Sequence, residues 1–250
     1  MENLIKLLNI DKRCVVDKRI TKVAISNNNS LNTSEKKILK EVITEMRWLA
    51  SYKPFNSAIP EYISETESYD EIQIISVAFI DTKFTKQVIN LLQKNMPYHL
   101  VLLLESKDNF AVSVAKKSIN QTDSLKRTID EVLTSTWIDN LSNNEINESF
   151  LKHLNTKSYN TLHLKTFYEG FIKSIYLYET SLITGSFNVK ENKEVIKDAN
   201  ALREIEILDK EIISIKSQIK KGTVFSDKVR LNMKLKEVEK NKQLLTQKLY

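Results

Sequence analysis

Residues 64–81 read SETESYDEIQIISVAFID, a polar approach that becomes an Ile- and Val-rich run just after Asp70 and Glu71. A short apolar run rich in β-branched residues predicts a buried strand. Side chains two apart on a strand share a face, so Glu71 and Gln73 point together at its entrance. TKQVINLLQKN (85–95) follows with helical spacing and ends at Asn95-Met96-Pro97. YHLVLLLES (98–106) is nearly all apolar, as expected of a strand covered on both faces. KDN (107–109) is a turn, and FAVSVAKKS (110–118) places Phe110, Val112 and Val114 on one face of a returning strand. Strand, helix, strand, strand predicts an α+β domain: a mixed β-sheet with flanking helices.

Upstream, CVVDKRITKVAI (14–25) suggests a short early strand, followed by the turn-forming SNNNSLNTS (26–34). Asn32, with Glu35 three residues later, has the spacing of a capping box. Ile38, Leu39, Val42, Ile43, Met46 and Leu49 then recur at helical spacing and predict a helix over 34–52, ended by KPFNSAIP (53–60). EYISE (61–65) is a short extended piece. Downstream, DSLKRTIDEVLTSTWI (123–138) has the pattern of a helix. So does the segment 159–183, where Leu164, Phe167, Phe171, Ile175, Tyr178 and Leu182 form one stripe. Those aromatics suit a core better than a ligand box.

The tail has the clearest periodicity. Ala201, Ile205, Leu208, Ile212, Ile215 and Ile219 step alternately by four and three, the seam of a coiled coil. KKGTVFSD (220–227) breaks the pattern, with Gly222 suited to a C-terminal cap. Leu231, Leu235, Val238, Lys242, Leu245 and Leu249 resume it, predicting an antiparallel helical hairpin. The expected organisation is an α+β domain over 1–184, a linker over 185–199 and the hairpin over 200–250. Helices of two or three heptads are marginal alone, so the hairpin is expected to dock on something.

Composition narrows the function classes. The chain has 250 residues, 41% hydrophobic and 28% charged, ordinary for a globular protein. No run approaches the length of a membrane span, and the N-terminal MENLIKLLNIDKR is not a signal peptide. With Cys14 as the single cysteine, an internal disulfide and a cysteine zinc site are excluded, and a cytoplasmic location is expected. Three glycines leave no Walker or dinucleotide loop. Of the net charge of +6, residues 201–250 carry +5, from 12 Lys or Arg against 7 Asp or Glu.

Two groups of residues are candidate sites. Metal-dependent nucleases of the PD-(D/E)xK type place an acid and a Glu-x-Lys on neighbouring strands, where carboxylates hold Mg²⁺ to activate water. EIQIISVAF, TKQVINLLQKN and YHLVLLL follow in that order, making Glu71 and Gln73 candidate ligands. Asp70, Glu65 or Glu61 would supply the third group, and Lys83 a nearby charge. Polar residues at a strand entrance are the simpler reading. The second group is Lys220, Lys221, Lys228 and Arg230, around the break in the tail. They would cover a solvated helix surface, grip phosphates or dock an acidic partner. The histidines His99, His153 and His163 have no metal-binding spacing.

VDKRITK (16–22), SEKKILKEVITEMRWLASYKP (34–54), YDEIQIISVAF (69–79), NMPYHLVLLLES (95–106) and EIISIKSQIKKGTVFSDKVRLNMKLKEVEKNKQLL (211–245) resemble, in this order, a bacterial family catalogued as a domain of unknown function. The resemblance covers most of the chain. Where the family's tail usually has an acidic residue and Gln-Phe-Asn, this chain has GTVFSDK (222–228). Genes of the family typically lie beside helicases and type III-like restriction-modification genes. The resemblance therefore implies an accessory subunit of a DNA-targeting antiphage system, expected to bind a helicase or methyltransferase partner in a hetero-complex, with DNA as a further contact. It implies no reaction and carries over no catalytic residue. A metal-dependent nuclease subunit, using Mg²⁺ and activated by its helicase partner, is the alternative.

Overall fold

The computed structural model describes residues 2–28, 31–123, 126–139, 144–221 and 225–250. The chain divides into two compact units, Met1–Ile175 and Tyr176–Tyr250.

In the first unit, α1 (Glu2–Leu8) leads through a 3₁₀ turn at Lys12–Cys14 to β1 (Val15–Arg19), α2 (Lys22–Asn28) and α3 (Thr33–Lys37). A π-turn over Ile38–Val42 feeds β2 (Ile43–Tyr52), followed by the single turn α4 (Pro54–Ser57) and the small hairpin β3 (Tyr62–Ile63) and β4 (Ser68–Tyr69). Then come β5 (Ile72–Phe79), α5 (Thr85–Asn95), β6 (His99–Ser106), β7 (Asn109–Ile119), β8 (Arg127–Thr134) and β9 (Ile138–Asp139). The helices α6 (Glu145–His153) and α7 (Leu164–Thr184) complete it, α7 continuing past Ile175.

Among the described residues the strands form a mixed seven-stranded sheet in the order β1-β2-β5-β6-β7-β8, with β9 on β7. Only the β5–β6 pair is parallel, joined by the α5 crossover. The α+β architecture with flanking helices is therefore as expected. α5 and the π-turn cover one face, packing Leu39, Val42, Val88 and Leu92 on Met46, Ile75, Val77, Leu102 and Leu104. α7 meets the other, where the rings of Phe167 and Tyr52 lie 4.6 Å apart. Tyr168 goes further. The β6–β7 pairing stops at Val101 and Val114. At the next position the buried Tyr168 hydroxyl accepts from the Ala115 N–H at 2.9 Å and lies 2.9 Å from the Leu100 carbonyl. A helix side chain thus satisfies backbone groups where the ladder ends.

Two expected helices are strands. Asn32 and Glu35 do form the capping box of α3, but the helical path ends at Val42 and 43–52 is β2. Bulges fall between Ile43 and Glu45 and between Trp48 and Ala50 in the pairing with β5. The first shifts the face by one residue, so Ile43 and Met46, three apart, both join the cluster under α5, and with the buried Leu49 they imitate a helical stripe in the sequence. The 123–138 segment contains β8, an edge strand whose residues alternate between half-buried and exposed. Ile129 and Leu133, four apart, fit either period. The early strand is shorter than expected: β1 ends at Arg19 and α2 takes the rest of the segment.

In the second unit, α8 (Asn192–Lys221) and α9 (Phe225–Gln247) pack together. Ile212, Ile215 and Val238 are buried in the seam, with Leu208, Ile219, Leu231 and Leu235 against them. Lys216–Glu239 at 3.1 Å and Lys234–Glu211 at 2.7 Å bridge the pair along its length. Residues 204–208 of α8 line a groove with residues 241–248 of α9, whereas Glu211 further along α8 meets Lys234, so the two helices run antiparallel, as the seams predict. The proposed cap Gly222 lies outside the described residues. No described helix is long and apolar enough to cross a membrane.

Candidate functional site

β2 and β5 run antiparallel, and their register puts Ser51 opposite Gln73. Glu71 stands just before β5 and is buried, as is Gln73. One carboxylate oxygen of Glu71, Oε1, accepts from the Ser51 hydroxyl at 2.7 Å and from the Gln73 amide at 2.9 Å. The other, Oε2, lies 3.0 Å from the Lys53 ammonium. Lys53 is held at the start of the α4 turn, where its N–H donates to the Asn56 side chain at 2.8 Å and Asn56 donates to the Ser51 carbonyl. The expected pair thus comes together, joined by two residues that the sequence reading did not single out. Serine and lysine at 51 and 53, two apart before Pro54, would have marked them had this segment been read as a strand.

The proposed third ligands are elsewhere. Asp70 is exposed and its carboxylate accepts from the Glu71 N–H at 3.1 Å. Glu61 and Glu65 are exposed around the β3–β4 hairpin, and Lys83 pairs with Asp81 at 3.5 Å. Among the described residues no three His, Cys, Asp or Glu side chains are grouped to hold a metal ion. Chemically, Glu71 is a buried anion neutralised by an ammonium and two hydrogen-bond donors. A divalent cation at the same oxygens would face the charge of Lys53, so this donor set suits an ion pair better than Mg²⁺.

The histidines are also engaged. His99 is buried and stacked on Tyr69, with ring centroids 3.7 Å apart, and its Nε2 lies 3.1 Å from the Ser68 carbonyl. Burial, reinforced by the charge of Lys117, depresses its pKa to about 3. Lys117 is itself buried, donating to the carbonyls of Met96 and Tyr98, and burial lowers its pKa to about 7. His153 Nδ1 lies 2.8 Å from the Ser174 hydroxyl, and His163 Nδ1 accepts from the Thr166 N–H.

In the helical pair, Lys220 and Lys221 close α8 while Lys228 and Arg230 lie in the first turns of α9, so the four occupy one end. Arg230 is 3.1 Å from Asp227. Further along, α8 and α9 enclose an open groove of about 420 Å³ lined by Ile207, Leu208, Leu244 and Leu245, with Glu204 and Lys248 also lining it. Ile207 is 62% exposed and Leu244 50%.

Neither the comparison with curated proteins nor that with solved structures gives a match. Residues 8–241 match a family model described as a domain of unknown function, DUF4391. With that match spanning both units, the chain belongs to the DUF4391 family.

Proposed function

We propose that this chain is an accessory subunit of a DNA-targeting antiphage assembly, holding a helicase or restriction-modification-like partner rather than cutting DNA itself. The docking element is the helical pair, and the observation that carries it is the apolar groove between α8 and α9. The seam of this pair is already filled, yet Ile207 and Leu244 remain largely exposed beside it. Large exposed apolar side chains in a groove favour association. An amphipathic helix from the partner, with apolar residues one turn apart, fits such a surface. Glu204 and Lys248 would select its charged flanks. The DNA-targeting context rests on the gene neighbourhood that the family resemblance implies. The engaged state of Glu71 supports the non-catalytic part.

The test is co-expression with the products of the neighbouring helicase and restriction-modification genes. A tagged chain is expected to co-purify with one of them, and Ile207→Asp with Leu244→Asp to abolish this without loss of helical content. A wild-type chain that stays alone, or a double variant that captures the partner as well as wild type, refutes the reading.

The second reading, a nuclease subunit with Mg²⁺ at Glu71 and Gln73, draws on their shared face at the start of β5. It requires Glu71→Ala and Gln73→Ala to lose defence activity while partner capture persists.

A further inference from the structure

The α4 turn displays an aromatic ring that no packing argument explains. Phe55 is 84% exposed, the most exposed of the large apolar side chains described. Its turn is locked from several directions. Pro54 occupies the first helical position, the Lys53 N–H donates to Asn56, and the Ser57 hydroxyl donates to the Lys53 carbonyl at 2.7 Å. Ala58 closes the turn in the left-handed region, at φ 58°. The ring is therefore held out by ordered backbone, and its exposure is not the slack of a loose loop.

The surroundings of this turn are cationic. α4 packs on the Lys12–Cys14 turn, with Cα atoms of the two within 8 Å. Lys12 and Arg13 are exposed there. Lys157, also exposed, is near enough to Asp11 to lower its pKa. Thr156, beside it, ties this corner together: its hydroxyl donates to the Leu8 carbonyl and lies 3.2 Å from the Tyr52 hydroxyl. Lys53 completes the group. The nearby carboxylates are committed, Asp11 to Arg13 at 2.8 Å and Glu71 to Lys53 at 3.0 Å. Lys12 and Lys157 remain as the net positive charge.

We propose that Phe55, with Lys12 and Lys157 around it, forms a binding surface for single-stranded nucleic acid. A flat, exposed ring stacks on any base, and flanking cations hold the adjoining phosphates. A paired duplex offers no free base face to a ring standing on a turn, so the single strand is the preferred ligand. The surface belongs to the first unit and the groove to the second, and its test needs no partner protein.

The test is fluorescence anisotropy of the purified full chain with fluorescein-labelled oligo-dT, and with a labelled duplex of the same length. Oligo-dT is expected to bind more tightly than the duplex. Phe55→Ala should weaken it at least about fivefold and Phe55→Trp should preserve it. Lys12→Gln with Lys157→Gln should flatten the dependence of log K on log salt by about 1.4, the value for two released single-strand phosphates. Circular dichroism checks that the variants fold. No binding of oligo-dT, or binding unchanged by Phe55→Ala, overturns the proposal. So does binding lost in the combined Lys220, Lys221, Lys228 and Arg230 to Gln variant alone, which would place the strand at the helical tip. Phe55-dependent binding of poly-Glu without oligo-dT binding would assign the surface to an acidic protein segment and also overturn it.

Discussion

Lys242 stands in the apolar seam of α9, and its ammonium pairs with Asp209 of α8 across the helical pair. Heptad spacing calls for an aliphatic residue there, between Val238 and Leu245. A charge at one seam position commonly fixes register at a cost in stability. Both side chains are more than a third exposed, 35% and 44%, so the ion pair itself contributes little after solvent screening. Lys242→Leu is therefore expected to raise the stability of the pair by about 1 kcal/mol through added apolar burial. A higher urea midpoint, with increased self-association on gel filtration, is the expected result. A lower midpoint would show that the pairing outweighs the seam.

Glu71 serves three donors at once. Glu71→Ala leaves the Ser51 hydroxyl, the Gln73 amide and the Lys53 ammonium without their acceptor. Losses of about 1–3 kcal/mol are typical when buried donors are orphaned. Glu71→Gln keeps a carbonyl acceptor and should fall between wild type and Ala in urea denaturation. A Glu71→Gln protein as stable as wild type but inactive in defence would instead move the case towards catalysis.

Gly170 leaves room for a ring. A Cβ there would lie 2.5 Å from the ring of Tyr159. That ring is pinned: its hydroxyl is 2.9 Å from the Ser174 hydroxyl, and its plane meets Phe171 edge-on at 4.9 Å. Alanine gains about 1 kcal/mol of helix propensity over glycine. The overpacking it forces costs about 1–3 kcal/mol. Gly170→Ala should therefore lower the thermal midpoint, and Tyr159→Leu in the same chain should recover part of the loss. Additive effects of the two changes would refute the contact.

What the sequence revealed divides along one physical line. The run from β5 to β7 was legible because its strands are buried on both faces and separated by a helix and a turn of ordinary chemistry. The seams of α8 and α9 were legible because heptad spacing is a local property. β2 was not, since its two bulges are defined only by pairing with β5, which lies far along the chain. That misreading also hid half of the Glu71 cluster: Ser51 and Lys53 reach Glu71 through strand register. The shared face of Glu71 and Gln73 needs only the period of one strand, and it was visible. Phe55 gave no periodic signal, because its exposure depends on how a four-residue turn sits on the fold.

His99 and Lys117 make stability depend on pH in two separate windows. The folded pKa of His99 is about 3, depressed from 6.5 by burial first and by the Lys117 charge second, against the opposing bond to Ser68. Between those values the unfolded chain binds the extra proton, so stability rises with pH there and is lost as pH falls from 6.5 towards 3. Lys117, depressed from 10.5 to about 7 by burial and then by Arg127, follows the same rule higher up. Its burial penalty is complete below pH 7 and fades as pH climbs to 10.5, so stability rises again through that range. Each window is expected to span a few kcal/mol. His99→Phe, which keeps a ring against Tyr69, should flatten the acid window, while Lys117→Met should flatten the alkaline one and also narrow the acid window, because the charge that helps depress His99 is gone. Thermal midpoints of the three proteins across pH 3–10.5 check this. A wild-type profile already flat in either window would show that the corresponding group titrates at its ordinary value.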